Sequence, residues 1–324
     1  MIKRLFVSAL LCGVSLEADS VSFTFYNDFF AGSDGHFTNG GALSWLETGT
    51  TKEKSYTNAF LRAAQGIVPL SSTKEHNAGL SLTQMIITPK NTELINAQYA
   101  DYPYAGYLAV SAFLLEWDQE HFSEYSVEVG IMGKYSGAEW VQKTFHKMIG
   151  NQQPQGWDTQ LGTHYTLNFL LQKGVKSWQG SVGDTLKADW LNHYGVTLGN
   201  FNTSVFAGSS LRLGHNYVQN FNAHYPYLKS EASLLDADSL KHGFGWSTSI
   251  GVETKVLAYS AILDKAVDSG YATHKNILNA LVHLSGSLYY NQHKLSLFYE
   301  IPTAYTKEDH STNVIGGFEY SYKF

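Results

Sequence analysis

The chain has 324 residues, with 22 Lys and Arg against 28 Asp and Glu, and its formal net charge of −6 argues against a nucleic-acid partner. Aromatic residues make up 14% of it, with 21 Tyr, 29 Gly, 6 Pro, one Cys and only 15% charged residues. This profile excludes a disulfide framework and suits a membrane β-barrel better than a soluble enzyme.

In chain order, Lys3 and Arg4 precede an apolar run from Leu5 to Leu16, and Ala18 follows where a signal peptidase would cut. Residues 1–18 are therefore expected to be a secretory signal peptide, and 19–324 the barrel domain. The run is shorter than the ~20 residues a membrane-spanning helix needs. Cys12 lies within it, so the mature chain is expected to lack cysteine.

Period-two alternation dominates the rest. It predicts twelve strands, near 20–30, 38–48, 76–88, 104–117, 123–134, 160–173, 188–200, 203–214, 243–259, 280–291, 293–306 and 312–324. The clearest is the last, where Val314, Gly316, Phe318, Tyr320, Tyr322 and Phe324 share one face while Ile315, Gly317, Glu319, Ser321 and Lys323 share the other. One face suits lipid and the other a polar lumen. A soluble sandwich would alternate in the same way, but a final aromatic residue on an amphipathic strand, after a signal peptide, favours the outer membrane. The expected fold is an all-β, antiparallel transmembrane barrel of about 12 strands, taken as a monomer. Its inner faces read as rich in Ser, Gly and Tyr with few charges.

The link between strands five and six breaks the pattern. Ala138, Val141, Phe145 and Met148 recur at helical spacing, Ser136 reads as N-cap and Gly150 as C-cap, which predicts a short extracellular α-helix near 137–150. His146 lies near its C-terminal end. At the far end of strand one stand Asn27 and Asp28, and Thr38 opens strand two, so a hairpin returns Thr38 to their level. Asp34 and His36 read as turn and rim residues.

The chain offers no catalytic Cys and no Gly-x-Ser-x-Gly elbow. A histidine able to deprotonate water, beside carboxylate and amide oxygens able to hold a hard cation, is the set that ester hydrolysis by activated water requires.

Four blocks, "NDFFAGSDGHFTNG" (27–40), "DYPYAGYL" (101–108), "VQKTFHKMIG" (141–150) and "GWDTQL" (156–161), together resemble the outer-membrane lipid A 3′-O-deacylases of the LpxR type. The resemblance implies a twelve-stranded barrel in the bacterial outer membrane, with a site between the wall and an infolded loop helix. It implies that His146 activates water, that Asp28 is a ligand of a calcium ion, and that Asn27 and Thr38 form the polar wall. The implied reaction is calcium-dependent hydrolysis of the esters at the 3′ position of lipid A. Where a Glu is expected six residues after the histidine, this chain has Gln152, and Asp158 is the carboxylate that could help instead. Lys134, Lys143 and Lys147 flank the helix as candidates for the lipid A phosphates. Asp101 is read either as part of a rim turn or as a headgroup contact. A calcium-dependent phospholipase and a non-enzymatic porin or surface-binding barrel are the alternatives.

Overall fold

In a computed structural model, the structure describes residues 20–27, 37–49, 66, 68, 71, 73–217, 219–226, 233, 243–309 and 313–324. The expected signal peptide, Asp28, Asp34 and His36 lie outside the described residues, and of Thr38 only the backbone is described.

The alternating segments form twelve strands: β1 (Ser20–Asn27), β2 (Phe37–Gly49), β3 (Glu75–Ile87), β4 (Ala105–Trp117), β5 (His121–Met132), β6 (His164–Val182), β7 (Leu186–Gly199), β8 (Asn202–His215), β9 (Phe244–Ser260), β10 (Leu278–Tyr290), β11 (His293–Pro302) and β12 (Ile315–Lys323). All neighbours pair antiparallel, and β1 pairs with both β2 and β12, so the barrel closes. Closure leaves no strand edge to face lipid, where unpaired backbone groups cost several kcal/mol each. Strand ends differ from the sequence reading by a few residues in most cases. The largest shift is in β6, which continues to Val182.

The alternation sorts as expected. Outward residues such as Val127, Val129, Ile250, Val252, Leu295 and Leu297 are exposed, while their neighbours along each strand are drawn into the lumen. One expectation is overturned, because the lumen is rich in charge. Arg212 on β8 donates to both carboxylate oxygens of Asp189 on β7, at 3.0 and 2.8 Å. His193 meets Glu253 at 3.0 Å, and Lys294 meets Glu319 at 2.7 Å. Each charge is paired with one distant in sequence, a relation that strand-by-strand patterning does not reveal.

Residues 219–226, in the link between β8 and β9, lie in the lumen near the end from which β1 starts and at which β12 stops. Arg212 donates to Asn220 O and Asn222 O, at 2.7 and 2.6 Å. Phe221 packs on Phe122 with ring centroids 4.8 Å apart. His224 reaches Glu300 at 3.0 Å and stacks on Phe298. At the opposite rim the β9–β10 link forms a short helix, Ala261–Asp268, whose Ala261, Ile262 and Ala266 pack against Tyr107, Met132 and Leu161. Its N-cap is Ser260, whose side chain accepts from Leu263 N at 3.4 Å. A cavity of about 290 Å³, lined by residues that include Tyr107, Glu128, Lys255 and Glu300, remains in the lumen.

Candidate functional site

At the rim opposite the termini, the strand registers define a row of outward positions. Tyr26 pairs with Gly40, which sets Asn27 of β1 at the level of Asn39 of β2; Asn39 pairs with Ile86 of β3, and Ile86 with Gly106 of β4. Asn27 shares the outward phase of Phe23, which is 43% exposed, yet is itself only 8% exposed. The β2–β3 register passes from Phe37↔Ile87 to Asn39↔Ile86, which leaves Thr38 as the extra residue of a bulge. Bulges re-aim the chain locally and recur beside active sites. Two of the sequence-derived wall positions, Asn27 and Thr38, thus lie at one rim on adjacent strands.

The predicted helix forms as α1 (Ala138–Ile149) and lies against the outward face of the barrel over β3 and β4. A Cβ on Gly106 would sit 2.2 Å from Ser136 Oγ and 2.3 Å from the Ala138 Cβ, so only glycine lets the helix start press onto the wall. Gln84 Nε2 donates to Ser136 O at 2.9 Å. Ile86, Tyr104, Ala138 and Trp157 bury one another beneath the helix. Two sequence-level details are corrected. The N-cap is Gly137, in the left-handed region at φ 74°, because Ser136 ends a preceding 3₁₀ turn (Lys134–Ser136). The buried face is set by Ala138 and Gln142, not by Met148, which is 75% exposed. Gln142 tolerates burial because its Oε1 accepts from Trp157 Nε1 at 2.8 Å.

The motif "DYPYAGYL" is scaffold for this arrangement. Asp101 accepts from Lys90 N at 2.9 Å and Tyr102 N at 2.7 Å, the behaviour of a turn-capping carboxylate. Tyr104 packs on Trp157 at 5.0 Å and donates to Thr92 O at 3.0 Å. Burial holds its phenol above the ordinary value, which keeps that proton in place. Gly106→Val is expected to lift the start of α1 off the wall at a cost of ~1–3 kcal/mol. Limited proteolysis should then cut within residues 133–163 faster than in the parent, with the barrel otherwise intact.

His146 lies in the last turn of α1, before the Gly150 cap at φ 70°. The cap turns the chain back, Asn151 N donates to His146 O at 2.8 Å, and the Gln152 carbonyl meets His146 Nδ1 at 2.5 Å. A carbonyl can only accept, so Nδ1 donates, and in the neutral ring the lone pair then lies on Nε2. This backbone contact was not legible in the sequence, where position 152 drew notice only for its side chain. Lys143 is taken up by Glu139 at 2.7 Å; Lys134 and Lys147 are exposed and make no ion pair among the described residues. Asp158 is exposed in a 3₁₀ turn (Gly156–Thr159).

For the calcium ion that the resemblance implies, the oxygen donors along the wall and the end of α1 include the amides of Asn27 and Gln152. Both are neutral hard donors of the kind calcium accepts. Among the described residues no three His, Cys, Asp or Glu side chains gather as a metal site, and Asp28, the ligand that the resemblance implies, lies outside them.

Closed β-barrel, lipid-facing apolar band and rim helix together define an outer-membrane barrel of the bacterial outer membrane. More particularly, the chain belongs to the LpxR family: the family model described as "Outer membrane protein LpxR" matches residues 5–324. Among solved structures it is similar to LpxR from Salmonella typhimurium, at 15% identity and a TM-score of 0.75 over 94% of this chain and 100% of that one. A weaker likeness is to the beta domain of the Bordetella autotransporter BrkA, at 9% identity and a TM-score of 0.46 over 95% of this chain and 99% of that one. No curated protein matches in sequence.

Proposed function

We propose that the protein is an esterase of the outer membrane that removes the 3′-linked acyl chains of lipid A, the activity that its family membership supports. The observation that carries the reading is the contact between His146 Nδ1 and the Gln152 carbonyl, which in the neutral ring puts the lone pair on Nε2, on a helix laid against the lipid side of the wall. His146 lies two turns beyond Ala138, ~12 Å at 1.5 Å per residue. The strand β1 lies three spacings from β4, ~14 Å. A helix directed across the strands from β4 toward β1 would bring His146 to the level of Asn27 and the bulge at Thr38, the arrangement that the proposal requires.

In the proposed reaction Nε2 takes a proton from water, whose oxygen bonds to the ester carbonyl carbon. The tetrahedral intermediate then expels the 3′ sugar oxygen, which takes the proton from the imidazolium, leaving a free fatty acid and a free 3′ hydroxyl. Asn27 and Thr38 line the wall beside the ester, and Asp28, with help from Gln152, would hold calcium. When bound, calcium supplies positive charge beside the developing oxyanion.

Mass spectrometry of lipid A from cells with and without the protein tests this. Loss of the 3′ acyl chains, prevented by a calcium chelator, is expected. Unchanged lipid A with calcium present overturns the reading, and loss of chains from phospholipids alone establishes the phospholipase in its place. The porin alternative is disfavoured by the chain that threads the lumen and by the helix that caps it.

A further inference from the structure

Four carboxylates of the lumen each meet a basic side chain: Asp189 meets Arg212, Glu253 meets His193, Glu300 meets His224 and Glu319 meets Lys294. Glu128, on the inward phase of β5, is held differently. Its Oε1 accepts from the Tyr107 hydroxyl at 2.7 Å and from Asn168 Nδ2 at 3.5 Å, both neutral donors. The Tyr107 hydroxyl also lies 3.0 Å from Thr166 Oγ1, which fixes it in place. Among the described residues no donor reaches Glu128 Oε2 and no cation pairs with this carboxylate.

Glu128 faces the lumenal cavity, whose volume of about 290 Å³ is close to the lower end of small-molecule sites, ~300–1,000 Å³. A second acceptor stands on the same wall. Asn168 Oδ1 accepts from Phe201 N at 3.2 Å and Asn202 N at 3.4 Å, which sets Asn202 beside it. Asn202 lines the cavity, and its buried Oδ1 has no hydrogen-bond partner among the described residues. Two inward positions further along β6, Gln172 is 0% exposed and level with Glu124 of β5, and neither of its amide atoms is hydrogen-bonded among the described residues. Buried polar atoms are nearly always paired, so a lumen with these acceptors suits a guest that brings donors. Glu124, Glu300 and Lys255 also face the cavity, the Lys255 ammonium lying 6.0 Å from the Tyr305 ring. Much of the remaining lining is apolar: Met85, Ile87, Leu257 and Ile262, with the Tyr107 ring stacked on Phe201 at 3.7 Å.

We propose that the lumenal cavity binds a small primary ammonium ion with an apolar body. Its N–H groups donate to Glu128 Oε2 and Asn202 Oδ1, and its carbon chain lies against Met85, Ile87 and Leu257. A charge-assisted hydrogen bond to a carboxylate away from bulk water, beside aromatic rings, is the recognition that such a cation needs. A bare metal ion fits less well, since no three His, Cys, Asp or Glu side chains gather among the described residues. The site lies inside the barrel, on the other side of the wall from α1 and His146, and is therefore separate from the ester hydrolysis proposed above.

Isothermal titration calorimetry of the full barrel in the non-ionic detergent dodecyl maltoside tests this, with hexylammonium as the probe and hexanol as its uncharged counterpart. The parent is expected to bind hexylammonium at one saturable site and hexanol at least about tenfold more weakly, because only the cation makes a charged hydrogen bond. Glu128→Gln keeps an oxygen for the Tyr107 hydroxyl while removing the charge, and should weaken hexylammonium about tenfold or more with hexanol unchanged. Absence of a saturable hexylammonium site, or equal affinity for the two probes, overturns the proposal. So does an unchanged hexylammonium affinity in Glu128→Gln. The first comparison uses the parent barrel alone and decides the matter even if the variant fails to fold.

Discussion

His146→Ala is expected to lower 3′-deacylation of lipid A by ~10²–10⁴-fold, the range of a lost general base. The fall should appear in kcat with KM little moved, because the ring acts on water and not on the bound lipid. The variant should still migrate as a folded, heat-modifiable barrel, since the imidazole is partly exposed at a helix end and supports no core cluster. Gln152 separates two roles that one position could play. Its backbone carbonyl orients the ring through Nδ1, so Gln152→Ala, which keeps that carbonyl, should preserve the rate at saturating calcium. If its side chain also ligates the ion, the same variant should need more calcium to reach that rate, and Gln152→Glu should need less. An active His146→Ala protein would remove the histidine from the mechanism altogether.

Much of this architecture was legible because each strand repeats one local rule. In β12, Phe318 and Tyr320 face out while Glu319 between them faces the lumen, and the period of two alone assigns them. The loop helix was legible by its period of 3.6, and Gly150 by its place after the last apolar residue. What stayed hidden depended on distance. The partner of Glu319 is Lys294 on another strand, and the stretch 219–226 carries no periodicity because it follows the shape of the lumen. The capping helix at Ala261–Asp268 did leave a signal, Ser260 ahead of Ile262 and Leu263, with Asp264 returning to accept from Ser260 N at 2.8 Å. At the candidate site, Asn27 and Thr38 could be set at the rim by counting along two strands. The bulge at Thr38, the docking of α1 on Gly106 and the carbonyl behind His146 are facts of register and closure that residue types do not state.

The knot around Arg212 should be the most sensitive point of the fold. The guanidinium is 2% exposed and lies against an Asp189 carboxylate at 0%, with Tyr217 OH donating to the same carboxylate at 3.0 Å. Its remaining donors satisfy Asn220 O and Asn222 O, so a single side chain both neutralises a buried anion and ties the lumenal segment to the wall. Arg212→Met removes the charge and those donors at once, leaving Asp189 with Tyr217 as its remaining donor and two carbonyls without this partner. Breaking one side of a buried ion pair costs ~3–5 kcal/mol, which should lower the urea midpoint of the barrel in detergent. The double variant Arg212→Met with Asp189→Leu should recover most of that loss, since replacing both partners by apolar groups is often nearly neutral. Its carbonyl ties remain cut, however, so both variants should release residues 219–226 and conduct ions across a planar bilayer when the parent barrel does not. Recovery of stability together with a closed lumen would show that the segment is held by its aromatic contacts, Phe221 on Phe122 and His224 on Phe298, and not by the arginine.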